Sequence, residues 1–382
     1  MEKYDYIIAG LGAAGLSLAF FMMKFMDLRQ QKVLLIDNDN KNKNDRTWTF
    51  WGEAPEEFSH LVEKTWYNLG LYDKKDKVEF SVTKSPYHYI PAIRFYNYII
   101  PKLKQIENFT FLKGHVEQIT DQNNEPTITV DAKTYKADYI FNSAFQDITT
   151  LAQVKNEIAL QQFKGWELEF DYDILNDKKV TLMDFSISET NKVNFIYVLP
   201  ITKKRMIINF TAFGSEKINN GNAEECIAEY LKNNYSQHYK ITRKEQGIIP
   251  MSHVEFERYY SPGIMNVGIF GGDARPSTGY TFINTINNSR KIAYALAKEK
   301  KPPVLSNNKR HYNFYDRIFI RVLKDNPSDL KKALLALFKN NKSSQAFKFL
   351  SSKTSILHEI PIVLSLPIIP FINGLLKELK NL

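Results

Sequence analysis

Tyr4-Asp5-Tyr6-Ile7-Ile8-Ala9 runs directly into Gly10-Leu11-Gly12-Ala13-Ala14-Gly15 and then into an alanine- and leucine-rich stretch reaching about Lys24. This succession of strand, glycine turn and helix constrains the fold more than any other feature of the chain. Gly10 permits a tight turn, Gly12 lets the backbone approach a pyrophosphate, and Gly15 lets helix and strand pack closely. The helix N-terminus then points its free N–H groups and positive dipole end at the phosphates. Val33 to Asp37 reads as a second buried strand. Asp37 closes it 22 residues after Gly15, where a carboxylate accepts hydrogen bonds from a ribose. A dinucleotide site built from Gly10, Gly12, Ala14, Gly15 and Asp37 is therefore expected.

The whole chain is too long for one core: at 382 residues two domains are the default. With 43% hydrophobic and 24% charged residues it reads as a folded chain, not as a disordered or polytopic membrane protein. Period-two alternation over about 74–82, 166–170 and 194–213 marks strands with one covered face. Residues 109–121 and 127–142 read as further strands. Residues 264–268 form a buried strand, and a helix follows over about 282–298. Beyond Pro302-Pro303 the pattern is helical nearly to the end.

A second glycine element, Gly271-Gly272-Asp273-Ala274-Arg275-Pro276, lies between that late strand and helix. It resembles the Gly-Asp element of flavoproteins of the p-hydroxybenzoate hydroxylase fold. The resemblance implies FAD, with Gly272 and Asp273 at the ribityl and pyrophosphate region and Thr278 and Gly279 beneath the isoalloxazine ring. The expected fold class is α/β: a Rossmann-type FAD-binding domain interrupted by a mainly antiparallel β substrate domain, with a helical C-terminal region. The FAD-binding domain takes residues 1–56, 85–150 and 263–300. The substrate domain takes 57–84 and 151–262, and residues 301–382 form a helical, membrane-facing region.

Asp45-Arg46-Thr47-Trp48-Thr49-Phe50-Trp51 resembles the Asp-Arg-Thr-Trp-x-Phe-Trp signature of bacterial lycopene β-cyclases. Similar blocks follow in the family's order: Phe163-Lys164-Gly165-Trp166, Leu182-Met183-Asp184-Phe185, Phe195 to Pro200, Gly247 to Met251, and Gly271 to Phe282. They span about three quarters of the chain. The resemblance implies a non-redox cyclisation of lycopene or another ψ-ended carotenoid to β-ionone rings. It also implies reduced FAD with NAD(P)H as reductant, and Arg46 holding flavin phosphate or the ring edge.

One position departs from that pattern. The family carries a glutamate, its presumed acid, two residues before a threonine; here Asn209 precedes Thr211. An amide cannot donate an acidic proton, although it can orient a neighbour. Either another acid acts, or the chemistry differs, or activity is lost. Glu167 and Glu169 are candidates because they share one strand face, where paired carboxylates raise each other's proton affinity. Asp184 is another, from its apolar surroundings. The catalytic candidates are thus Glu169, Asp184 and Asn209. The alternatives to a cyclase are an FAD-dependent monooxygenase or reductase on an apolar isoprenoid, or an inactive carotenoid-binding relative.

No metal site is expected, since no histidine pair has ligand spacing and Cys226 is the sole cysteine. No nucleic-acid motif accompanies the net charge of 51 − 42 = +9, which fits an anionic membrane surface better. Residues 356–376 are mostly apolar but contain Pro361, Pro367 and Pro370, which break a spanning helix. They form either a buried cap or a segment dipping into the interface. With no secretory signal at the N-terminus, the expected location is cytoplasmic, peripheral on the inner membrane.

Overall fold

The computed structural model describes residues 1–27, 30–144, 159–189, 192–214, 218–251, 257–305 and 310–380. The boundary expected between residues 150 and 151 lies outside them.

The N-terminal unit forms as its glycine turn requires. Strand β1 (Glu2–Ala9) enters helix α1 (Ala13–Phe25), and the chain returns as β2 (Val33–Asp37), parallel to β1. Gly10 takes φ +88°, open to glycine and costly for other residues. A Cβ on Gly15 would lie 1.9 Å from the Gly10 carbonyl oxygen, so the turn closes only without one. Successive β1 side chains leave on opposite faces. Tyr6 and Ile8 pack against α1 in one core cluster, and Ile7 and Ala9 pack in another with Ile128 and Val130.

Between β2 and the next paired strand of this sheet come β3 (Thr47–Trp51), β4 (Lys64–Trp66), β5 (Asn68–Tyr72), β6 (Lys77–Ser81), β7 (Tyr87–Pro91) and α2 (Ala92–Leu103). The sheet resumes with β8 (Phe109–Lys113), β9 (Val116–Gln122), β10 (Glu125–Val130) and β11 (Lys133–Asn142). After the substrate-side strands it is completed by β17 (Tyr259–Ser261) and β18 (Ile264–Asn266), in the order β17-β18-β11-β1-β2-β8, with β10 and β9 attached to β11.

The second large sheet contains β12 (Ala159–Glu169), β13 (Lys179–Asp184), β14 (Val193–Pro200), β15 (Arg205–Gly214) and β16 (Lys240–Met251). Its order is β16-β12-β15-β14-β13-β5-β6, antiparallel except where β13 meets β5. Helix α3 (Asn220–Asn234) covers one face through Ala223, Ile227 and Leu231, packed on Leu168, Ile208 and Phe210. Helix α4 (Phe282–Glu299) packs on α1, and the other face looks toward the C-terminal helices α5 (Arg310–Asp325), α6 (Pro327–Asn340), α7 (Ser343–Leu350), α8 (Ile356–Leu364) and α9 (Ile368–Lys380).

A three-stranded sheet, β3-β7-β4, joins the two large units and carries Thr47–Trp51. His88 on β7 pins it: its ring nitrogens lie 2.9 Å from the Gly52 carbonyl and 2.9 Å from the Thr65 hydroxyl. Burial lowers the His88 pKa from 6.5, against the opposing pull of the Gly52 carbonyl. The unfolded chain therefore takes up a proton that the folded chain resists, and stability is lost as pH falls through and below 6.5. Urea midpoints measured at about pH 7.5 and about pH 5.5 are expected to fall further for the wild type than for His88→Gln. Equal slopes would remove His88 from the acid response.

Candidate active site

A single cavity of about 1730 Å³ runs between the two large sheets, and its walls divide into three regions. One end is the dinucleotide cradle: Gly10, Gly12, Ala14 and Asp37 line it, joined by Ser143 and Ala144 after β11. A Cβ on Gly12 would meet nothing within 4 Å, so the backbone here borders open space of the kind a pyrophosphate requires. Asp37 Oδ2 accepts from Leu11 N at 2.6 Å, and Oδ1 pairs with Lys41 Nζ at 3.1 Å. These bonds hold the acid at the mouth of the glycine loop. Gly15 stands behind the loop against Gly10 and does not reach the cavity.

The middle region combines Arg46, Trp48 and Trp51 with the loop Ser277-Thr278-Gly279-Tyr280. Gly279 sits over the sheet, its absent Cβ directed at Gln161 Oε1, 2.5 Å away. Trp51 stacks on Tyr280 with ring centroids 4.4 Å apart. Gly272 and Asp273 are not on the cavity wall. The Asp273 carboxylate is turned inward instead, accepting from Arg258 at 2.8 Å, Asn288 at 2.7 Å and Gly268 N at 3.1 Å. It shapes the loop from behind, so a direct side-chain contact with a dinucleotide does not follow from this placement.

The third region is the inner face of the seven-stranded sheet. Pairing aligns Tyr197, Asn209, Gly165 and Glu245 in one row across β14, β15, β12 and β16. Gly165 leaves a gap in that row: a Cβ there would fall 1.6 Å from Asn209 Oδ1. Across the gap Asn209 Nδ2 donates to Glu245 Oε1 at 3.1 Å. Glu245 Oε2 accepts from Thr47 Oγ1 at 2.6 Å and from Arg243 Nη1 at 2.6 Å. Arg243 also donates to Glu167 Oε2 at 2.9 Å. Two same-face steps along β12 separate this row from Gln161 under Gly279, about 13 Å at strand spacing.

Tyrosines line the same wall. Tyr87 and Tyr197 hydroxyls lie 2.9 Å apart, and Tyr87 donates to Thr49 Oγ1 at 3.0 Å. Burial raises both phenol pKa values, so both present neutral hydroxyls. The far end is apolar: Leu334 and Phe338 of α6, Val363 and Leu364 of α8, and Phe371 and Leu375 of α9 line it.

Of the acids expected from sequence, none reaches the cavity. Glu169 is exposed at the end of β12. Glu167 is tied to Arg243 and, at 3.7 Å, to Arg205. Asp184 is buried outside the cavity wall: it accepts from Ser186 N at 2.9 Å and from Tyr230 at 2.7 Å, and so caps the turn after β13. Asn209 does line the cavity. The residue that sequence reasoning missed is Glu245. Within Arg243-Lys244-Glu245-Gln246 it reads as one charge among several, and the only available signal was its place two residues before the Gly247-to-Met251 block.

The fold is that of the flavin-dependent enzymes. It is similar to a geranylgeranyl bacteriochlorophyll reductase-like protein from Thermoplasma acidophilum (TM-score 0.59, 12% identity, covering 100% of this chain and 99% of that one). A flavin-dependent brominase matches at TM-score 0.59 and 13% identity over 100% of both chains. A halogenase variant in complex with FAD matches at TM-score 0.57 and 12% identity, over 90% of this chain and 78% of that one. The chain belongs to the lycopene cyclase family, whose model, described as lycopene cyclase protein, matches residues 5–376. The lycopene beta-cyclase of a Paracoccus species is 24% identical over 233 residues, 56% of this chain and 58% of that protein; the match thus spans less than two thirds of the relative.

The row across β12 makes a direct prediction. Gly165→Ala is expected to destabilise the protein by about 1–3 kcal/mol through overpacking against the Asn209 amide. Adding Asn209→Ala should recover part of that loss, since the clashing atoms are then gone. Thermal unfolding of the two single variants and the double variant checks this, and strict additivity would count against the contact.

Proposed function

We propose that this chain is an FAD-dependent lycopene β-cyclase that converts ψ end groups of lycopene or a related carotenoid to β-ionone rings. The observation that carries the reading is the continuity of the cavity. It joins a dinucleotide cradle to a long apolar passage between C-terminal helices, the shape required to bring a lipid-dissolved polyene to a flavin. Gly10, Gly12, Ala14, Asp37, Arg46, Thr278 and Gly279 would hold the FAD. Held in reduced form, with NAD(P)H as reductant, FAD would supply an electron-rich group to the reaction, with no electrons remaining in the product.

In this reading the protein receives the ψ end among Trp48, Trp51, Tyr87 and Tyr197. A proton taken up from solvent adds at C2 and leaves a tertiary cation at C1, matching the proton returned to solvent at the end. The C5=C6 electron pair then forms the C1–C6 bond, moving the positive charge to C5, and loss of the C6 proton restores the C5=C6 double bond. Aromatic faces stabilise such a cation, by roughly 2 kcal/mol or more where water is excluded. The apolar wall keeps water from trapping it.

The substrate's entry route follows from the other end. Among the described residues no helix is long and apolar enough to cross a membrane. Helices α8 and α9 nevertheless expose Leu357 (80%), Leu364 (62%) and Ile369 (74%), beside cavity-lining Val363, Ile368 and Ile372. Exposed apolar side chains at a cavity mouth suit a helix pair lying in the membrane interface. With the net charge of +9, they support a peripheral position on the cytoplasmic side of an anionic inner membrane.

Expression in a lycopene-accumulating bacterial host, with pigments analysed by chromatography and mass detection, tests the proposal. The expected product has unchanged mass and a β-ring absorption spectrum, and it forms with only catalytic consumption of NAD(P)H. Gain of oxygen, or NAD(P)H oxidised one-for-one with product, would assign a monooxygenase or reductase instead. Unaltered lycopene would refute cyclisation of this substrate.

A further inference from the structure

We infer that Glu245 is the carboxylate that faces the ring-closing cation and accepts the C6 proton; the inference rests on the cyclase reading. The argument begins with position. Asn209 occupies the place where the family pattern carries a carboxyl, and its amide lies 3.1 Å from Glu245 Oε1. The carboxyl absent from β15 is thus supplied at nearly the same point from β16. The two strands are not neighbours, because β12 runs between them. Only a glycine at 165 lets the side chains meet over that strand, and any Cβ would fill the space.

Anchoring supports the same role. The Glu245 side chain is 3% exposed, and its Oε2 is fixed by Thr47 and Arg243. Arg243 is shared with Glu167, so one guanidinium serves two carboxylates. Oε1 accepts from the Asn209 amide, which holds that oxygen on the row that also carries Tyr197. A carboxylate so anchored needs little reorganisation when positive charge develops nearby, and with water excluded its effect on that charge is large. The other carboxylates that line the cavity, Asp37, Asp45 and Asp316, belong to the nucleotide loop, the turn before β3 and helix α5.

The step balances within the substrate and this residue. The C6–H bond breaks, its electron pair forms the C5=C6 double bond and quenches the cation at C5, and the proton passes to the Glu245 carboxylate. The proton is released to water when the product leaves. A base placed at C6 also determines which ring forms, since proton loss from another carbon next to C5 would put the double bond elsewhere.

Glu245→Gln keeps the shape and the hydrogen-bonding reach while removing the charge, and Arg243 retains Glu167 as a partner. The experiment compares pigments and bound flavin for wild type, Glu245→Gln and the exchange variant Asn209→Glu/Glu245→Gln, which moves the carboxyl across the 3.1 Å contact. The expected result for Glu245→Gln is flavin content like wild type, about a hundredfold or greater loss of cyclisation, and a lower share of β rings in what product remains. The exchange variant is expected to regain much of the activity. Glu245→Gln within about threefold of wild type, well short of a general-base effect, would overturn the inference while leaving the cyclase reading intact. Loss of activity that the exchange does not restore would assign Glu245 to packing and overturn it as well. A wild type that forms no ring would overturn the cyclase reading first and this inference with it.

Discussion

A buried ion pair joins the parts that enclose the cavity. Arg275 lies at the start of the loop that runs under the middle of the cavity, and Asp316 on α5 accepts from its Nε at 3.2 Å. The guanidinium also donates to the Phe349 carbonyl at 2.5 Å and stacks over the Tyr312 ring at 4.9 Å. Loop, α5 and α7 therefore meet at one charge. Replacing one member of such a pair leaves the other charge buried and uncompensated, a cost of about 3–5 kcal/mol. That cost holds the C-terminal helices over the inner face of the seven-stranded sheet. Without that cover the apolar passage would be an open groove.

The same arrangement divides the chemistry of the cavity. Its cradle is backbone, built from glycines and strand ends, and suits phosphates. Its far end is aliphatic and aromatic and suits a polyene. Between them lies one narrow polar band, the row Tyr197, Asn209, Gly165 and Glu245, where a charge can be met by fixed partners. On the proposed reading, a long apolar molecule entering between α8 and α9 would pass along the sheet face to that band.

Legibility in the sequence followed the range of the interactions. The strand–turn–helix around Gly10 and Gly15 was readable because all of its determinants lie within a few residues, and β2 ends at Asp37 as the spacing requires. Period-two alternation likewise marked β14 and β15. Which carboxylate faces the cavity was not readable. Glu167 and Glu169 share a strand face as alternation demands, yet the end of β12 carries them toward Arg243, Arg205 and solvent. Asp184 has apolar neighbours in sequence because it caps a buried turn. Local hydrophobicity indicates burial, but it does not indicate which of two faces a side chain is buried against.

The sequence by itself determined the dinucleotide-type turn and the α/β architecture, because glycine stereochemistry and strand alternation are local properties of the chain; the family was legible only through the resemblance of motif blocks such as Asp45–Trp51. Tertiary structure alone decided that Asn209 and Glu245 share one hydrogen bond. Thirty-six residues separate them, and their meeting depends on the register of β15 and β16 against β12 and on the missing side chain of Gly165. Register is set by how whole sheet faces bury their side chains, and no short segment of sequence contains that information.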